Sequence, residues 1–236
     1  MSTNNQFPFN IEKLWSSVSN RSEKELIAKK IVGLASDGQV IGFGSGTTSM
    51  VCALEFGAAV KAGLIIDAVV TSFELEWLCN SININVVSSE DLTNQIDWCF
   101  DGADEVDPMG NLLKGRGGAM HRERQVFDLA KKRYVVADSS KDVKVLGEKF
   151  AAPIEVVPNK LVDVHTQLND MNFDSVTIRL AGAGSKDGPV ITESGNVIVD
   201  VIRREGIDAG LSEEISSIDG VFDTGLFMGY EFERIS

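Results

Sequence analysis

From Ser22 to Lys141 the sequence alternates between helical and strand periods, and no other feature narrows the possible folds so far. SEKELIAKKIVGLASDG carries apolar residues at Leu26, Ile27, Ile31 and Leu34, the spacing of a helix, with Ser22 as N-cap, Glu25 as its capping-box partner and Gly38 as the stop. QVIGFGSG is a short apolar strand that breaks into glycines, and TTSMVCALEFGAAVKAG restarts a helix from Thr47 or Thr48. IIDAVVTS, INVVS, IDWCFDGAD and RYVVADSSK read as further strands, with FELEWLCNSI and RERQVFDLAKK as helices between them. A strand, a helix and another strand in repeated succession join parallel neighbours by crossovers. The expectation is an α/β protein with a doubly wound, mostly parallel, Rossmann-like sheet.

Beyond Phe150 the pattern changes. APIEVVP, SVTIRLA, PVITESG and NVIVDVI are strand-like, LVDVHTQLND is helical, and the glycine-rich strand ends of the first part are missing. This predicts a small α+β domain over residues 149–205, inserted into a main catalytic domain of residues 1–148 and 206–236. The run after Ser194-Gly195 reads as a hairpin. LSEEISSIDGVFDTGLF begins a helix near Ser212 and Glu214 and is expected to rejoin the main sheet.

Charge decides which partners to exclude. With 22 Lys and Arg against 35 Asp and Glu the formal net charge is -13, so neither nucleic acid nor an anionic membrane is an expected partner. An anionic ligand then needs a local positive pocket. MSTNNQFPFNIEKLW lacks a basic segment followed by an apolar one, and no apolar run reaches bilayer length, so the expected compartment is the cytoplasm. Cys52, Cys79 and Cys99 lie in or beside apolar segments without metal-ligand spacing; they read as reduced core thiols, and no metal is expected.

In an open parallel sheet ligands bind beyond the carboxyl ends of the strands, and three polar loops stand at such ends. Gly44-Ser45-Gly46-Thr47-Thr48 offers close backbone approach and the unpaired N–H groups of a helix start, which suit a phosphate. The same glycines fit a nucleotide or a plain tight turn. A dinucleotide site wants an acidic residue at the end of the second strand, however, and IIDAVVTS ends in Thr71-Ser72. The second loop, DGADEVDPMGNLLKGRGGAMHRER, places Asp101 and Asp104 about a glycine, then Lys114, then Glu123 early in a helix whose dipole favours a carboxylate. Two acids, an ammonium and a further carboxylate suit proton transfer next to a carbonyl: a base takes the proton and the cation steadies the oxyanion. Taken singly, each has an ordinary structural use as a turn cap, an ion-pair partner or a helix-surface charge. The third loop, Asp138-Ser139-Ser140-Lys141, brings a lysine that serves an anion or simply faces water.

These loops together resemble ribose-5-phosphate isomerases of the A type. The resemblance runs from the helix containing Lys24 to Gly225-Leu226-Phe227, and rests chiefly on Asp101-Gly102-Ala103-Asp104-Glu105, Lys114-Gly115-x-Gly117-Gly118-Ala119, Arg122-Glu123 and Ala137-Asp138-Ser139-Ser140-Lys141. It implies a cofactor-independent aldose-ketose isomerase of the nonoxidative pentose phosphate pathway, interconverting D-ribose 5-phosphate and D-ribulose 5-phosphate through an enediolate, and a homodimer or homotetramer. By the resemblance Glu123 is the base, while Asp101, Asp104 and Lys114 assist ring opening and charge development. Ser45, Gly46, Thr47 and Thr48 match the substrate loop, Gly102, Ala103, Gly115, Arg116 and Gly117 line it, and Lys141 and Lys24 are basic contacts. A sensor of the same fold that binds sugar phosphate without turnover is the alternative, and retention of all four catalytic matches speaks against it.

Arg116 stands where the family loop has glycine. A left-handed backbone there would strain an arginine by about 1 kcal/mol or more. Its side chain either donates to a sugar oxygen or faces solvent, and a crowded glycine loop favours solvent. His121 reads as a surface histidine or as an influence on substrate preference.

Overall fold

The computed structural model describes residues 18, 20–89, 96–182 and 186–236; the N-terminal stretch read above lies outside these. Helix α1 (Arg21–Val32) leads to β1 (Gln39–Phe43), α2 (Gly46–Lys61), β2 (Ile66–Val70), α3 (Phe73–Ser81) and β3 (Asn85–Val86). Next come β4 (Trp98–Gly102), the two-residue strands β5 (Glu105–Val106) and β6 (Leu112–Leu113), α4 (Met120–Leu129) and β7 (Arg133–Val136). The remainder is β8 (Ala152–Val156), α5 (Leu161–Asp170), β9 (Ser175–Ile178), β10 (Val197–Ile202), α6 (Ala209–Ser216), β11 (Val221–Thr224), β12 (Leu226–Phe227) and β13 (Glu233–Ile235).

The chain divides into two compact units. The first takes the described residues up to Gly102 with Gln125–Val136 and Phe232–Ser236, and the second takes Ala103–Arg124 and Ala137–Glu231. The stretch 149–205 lies wholly in the second unit, together with 103–124, 137–148 and 206–231.

In the first unit six strands form one sheet in the order β13-β7-β4-β1-β2-β3, every neighbouring pair parallel. Alternate residues of its strands face opposite ways, which assigns the helices to faces. Ile41, Phe43, Ala68, Trp98, Phe100, Tyr134 and Val136 share one core with Ala28 and Ile31 of α1, Val51, Cys52 and Phe56 of α2, and Leu75 and Leu78 of α3. Gly42, between Ile41 and Phe43, looks the other way: a methyl group there would overlap Val126 of α4. The sheet is therefore wound on both faces. Cys52, Cys79 and Cys99 are buried with no disulfide, and burial pushes the thiols of Cys52 and Cys79 up to about 12, which keeps them protonated and unreactive.

The second unit holds an antiparallel sheet, β11-β8-β10-β9, and a smaller one, β12-β6-β5. Its core gathers Ile154, Val156, Val197, Val199 and Val201 from the larger sheet with Leu113, Val164, Leu168, Ile207, Ile215 and Leu226.

Several local expectations need correction. Ser22 lies inside α1, whose N-cap is Asn20 at φ 52°, and Glu25 is engaged by Arg21 Nε at 2.8 Å instead of closing a capping box. The helix ends at Val32 with Gly33 as its cap; Gly38 instead makes the turn into β1. Helix α2 opens one or two residues ahead of the expected Thr47 or Thr48, at Gly46 with Ser45 as N-cap. The run around Gly195 makes a short hairpin, with Thr192 N–H donating to the Asn196 carbonyl at 2.9 Å and Ile191 bridging Val197 antiparallel, and β10 then runs on between β8 and β9. Finally, the segment 212–227 does not rejoin the main sheet, because β11 pairs with β8 and β12 with β6. The strand that does so is β13, alongside β7.

Candidate active site

Within the first unit, strand order reverses at β1, which has β2 and β3 to one side and β4, β7 and β13 to the other. Loops leaving β1 and β4 are thus neighbours, and this is where an open α/β sheet receives ligands. Gly44 N–H donates to the carbonyl of Phe100 at 2.8 Å. A methyl group on Gly44 would overlap the Asp101 carboxyl carbon and Cβ, so glycine at this position makes room for that side chain. Asp101 is only 3% exposed, and its Oδ1 accepts the N–H of Gly102 at 2.7 Å. From α1, Lys24 Nζ donates to Thr47 Oγ1 at 2.8 Å, which places the lysine beside the Ser45–Thr48 loop.

Within the second unit, the chain leaving Ala103 builds a charged cluster. Lys114 directly follows β6, with its N–H bonded to the carbonyl of Gly225 at 2.9 Å, and Glu123 sits in the first turn of α4. Their charged groups meet at 3.2 Å, Lys114 Nζ to Glu123 Oε2, with the residues 3% and 4% exposed. Taking two ions out of water is costly unless they compensate each other, so this pair holds a carboxylate and a cation against one another where their attraction is stronger than in water. Asp104 belongs to the same cluster. Burial raises its carboxyl above the ordinary range, Lys114, the Arg116 N–H and Lys141 pull it back, and Glu123 adds to the rise. Its Oδ2 accepts that N–H at 3.2 Å.

The loop after Lys114 is held from outside. Arg179, paired with Asp200 at 2.8 Å, donates to the carbonyls of Gly115 at 3.1 Å and Arg116 at 2.9 Å. Gly115 has φ 84° and Gly118 φ 83°, whereas Arg116 is not among the positive-φ residues, so arginine sits there without backbone strain. Its side chain is exposed, with the guanidinium 5.0 Å from the centre of the Phe150 ring. Gly117 beside it is exposed as well. Lys141 closes the single 3₁₀ turn Ser139–Lys141, which Asp138 caps by accepting the Ser140 N–H at 2.7 Å. Its ammonium lies 6.0 Å from the same Phe150 ring.

This combination of motif order and geometry agrees with comparison to known proteins. The family model described as ribose 5-phosphate isomerase A (phosphoriboisomerase A) matches residues 67–235. The chain belongs to that family. It is 36% identical to ribose-5-phosphate isomerase A of Prochlorococcus marinus strain MIT 9312 over 89% of both chains. The enzyme of the same name from Methanocaldococcus jannaschii is 38% identical, over 89% of this chain and 92% of the relative. The solved M. jannaschii structure superimposes with a TM-score of 0.83 at 37% identity, covering 90% of this chain and 93% of that one. A D-ribose-5-phosphate isomerase solved in complex with phospho-erythronic acid also gives 0.83, at 33% identity over 92% and 93% of the two chains.

Against the isomerase family pattern, several contacts around the cluster were not foreseen from sequence. Phe227 presents its ring to Lys114 Nζ at 5.6 Å and to the Arg124 guanidinium at 4.2 Å. Arg124 is fixed by Asp223 at 2.7 Å and by the carbonyls of Thr224 and Leu226 at 2.8 and 3.0 Å. Arg122 pairs with Glu193 at 2.8 Å. His121 is more than a surface histidine: Nδ1 lies 2.9 Å from Asp223 Oδ2 and its ring 4.5 Å from that of Phe222. The family segment GVFDTGLF was legible as a string, but nothing in it states that its aromatic ring serves the lysine that follows β6. Among the described residues no group of three or more His, Cys, Asp or Glu is placed to hold a metal ion, and no helix is long and apolar enough to cross a membrane.

Proposed function

We propose that this member of the isomerase A family interconverts D-ribose 5-phosphate and D-ribulose 5-phosphate without a cofactor, in the nonoxidative pentose phosphate pathway. The observation that carries the reading is the buried Lys114–Glu123 pair at 3.2 Å, with Asp104 in the same cluster. Glu123 takes the proton from C2 of the open-chain aldose and returns it to C1, and Lys114 stabilises the negative charge on the enediolate oxygen between those steps. Asp101 and Asp104 move protons on the sugar hydroxyls during ring opening, and a carboxyl raised by burial, as Asp104 is, is better suited to hold and release a proton than an exposed one. The phosphate is received by Ser45, Gly46, Thr47 and Thr48 at the start of α2, with Lys24 and Lys141 as its cations. Gly102, Ala103, Gly115, Arg116 and Gly117 complete the substrate contacts.

The relative solved with phospho-erythronic acid, a phosphorylated sugar acid, supports this substrate class. A sensor of the same fold would need the phosphate loop but not a desolvated acid-base pair, whose burial lowers stability without serving binding. The reading extends to a homodimer or homotetramer in the cytoplasm. Its test is an assay on chelator-treated protein with no added cofactor, run in heavy water. Conversion of ribose 5-phosphate with deuterium entering the sugar is expected. Tight binding without conversion would establish the sensor instead.

A further inference from the structure

Glu105 follows Asp104 directly and is fully buried, where a carboxylate is tolerated only if its oxygens are satisfied. They accept three backbone N–H groups from one short segment: Gly147 at 2.6 Å, Lys149 at 2.5 Å and Phe150 at 2.7 Å. Such charge-assisted bonds fix residues 147–150 against β5. Two side chains of the fixed segment then turn to the loop of Lys141. Lys149 Nζ donates to the carbonyls of Ser140 and Asp142, each at 2.8 Å, one on either side of Lys141. The Phe150 ring lies beside the Lys141 ammonium. On the far side, Val143 N–H bonds the carbonyl of Val106 at 3.0 Å, so both ends of the loop are tied to β5 or to what Glu105 holds. Ser139–Lys141 is a single 3₁₀ turn whose residues are half-buried or exposed, and such a turn has weak internal bonding and no core of its own to define it.

We propose that Lys149, anchored through Glu105, is a positioning residue that fixes the direction of Lys141 and thereby sets the affinity for the substrate's phosphate. The proposal rests on the reading of Lys141 as a phosphate contact. Lys149 supplies no group to the sugar; it restrains the carbonyls that flank the residue which does.

A double-mutant cycle separates the two ideas. KM for ribose 5-phosphate and the inhibition constant of inorganic phosphate are measured for wild type, Lys149→Met, Lys141→Ala and the double variant. Lys149→Met should raise both constants roughly fivefold to tenfold with kcat within about a factor of two, and should add nothing once Lys141 is alanine, the sign of two residues acting as one unit. Lys149→Arg, which can still reach both carbonyls, should restore most of the affinity. If Lys141→Ala weakens phosphate and Lys149→Met does not, the positioning role is wrong and the phosphate reading stands. If Lys149→Met weakens phosphate equally in the alanine background, Lys149 contacts the anion itself and the proposal falls. If Lys141→Ala leaves phosphate affinity unchanged, the underlying reading falls and takes the proposal with it.

Discussion

Glu123 lies against the Lys114 ammonium at the start of a helix, and glutamine in its place keeps size and shape while losing the proton acceptor. Glu123→Gln should therefore lower kcat by at least about a hundredfold with little change in KM, the scale of a lost general base. Turnover near wild type would remove Glu123 from the chemistry. Asp104 makes a different prediction, because its folded carboxyl is raised mainly by burial. For such a group the stabilising state is the protonated one: its contribution is present below the ordinary aspartate range and is lost as pH rises through the folded value. Asp104→Asn should consequently melt at or above the wild-type temperature near about pH 8, the difference shrinking as the medium is acidified toward about pH 4, while activity falls at both. Thermal melts of the two proteins across that range check it, and a variant less stable at the higher pH would show that the carboxylate is favoured by the fold. The acids and the lysine were legible in sequence because they crowd into one glycine-rich stretch. The reason for Gly44 was not: it reads as a phosphate-loop glycine, and its neighbour is the Asp101 side chain, set there by strand order rather than by chain proximity. Gly44→Ala should thus impair turnover by displacing Asp101, which a crystal structure of the variant would show directly.

At the level of elements, the loop between β6 and α4 separates two kinds of position that the sequence presents alike. Gly115 combines a left-handed backbone with a site where a methyl group would stand 3.0 Å from both Met120 Cβ and Pro153 Cγ. Gly115→Ala should destabilise by more than about 1 kcal/mol from the backbone alone. Arg116 carries neither constraint, so Arg116→Gly should change the denaturation midpoint less than Gly115→Ala does, with a modest loss from its contact with Phe150. Equal effects would mean that the loop relaxes freely. The longer strands and helices followed from periodicity because four or more residues repeat a pattern. The pairs β5, β6 and β12 are two residues each and show no period, yet they hold Lys114 through the Gly225 carbonyl. Helix starts were misjudged by one or two residues where a side chain that could cap was engaged elsewhere, as Glu25 is by Arg21.

For the molecule as a whole, the parallel sheet followed from the alternating pattern, whereas antiparallel pairing starts with β5 and β6, well before the change of pattern after Phe150. Packing in the second unit extends past that mark. Strand β8 is paired on one side by β11, and its core includes Leu113, Val143, Leu146, Ile207, Ile215 and Leu226, all outside 149–205. A peptide of residues 149–205 made alone should accordingly show no cooperative melt, whereas a sharp transition would prove it self-sufficient. The chain also passes between its two units four times, after residues 102, 124, 136 and 231. A consequence reaches beyond the folded protein: neither unit is written as one uninterrupted stretch of coding sequence. A single recombination crossover in the gene therefore cannot hand one unit intact to another protein, and the two must be inherited, lost or exchanged together.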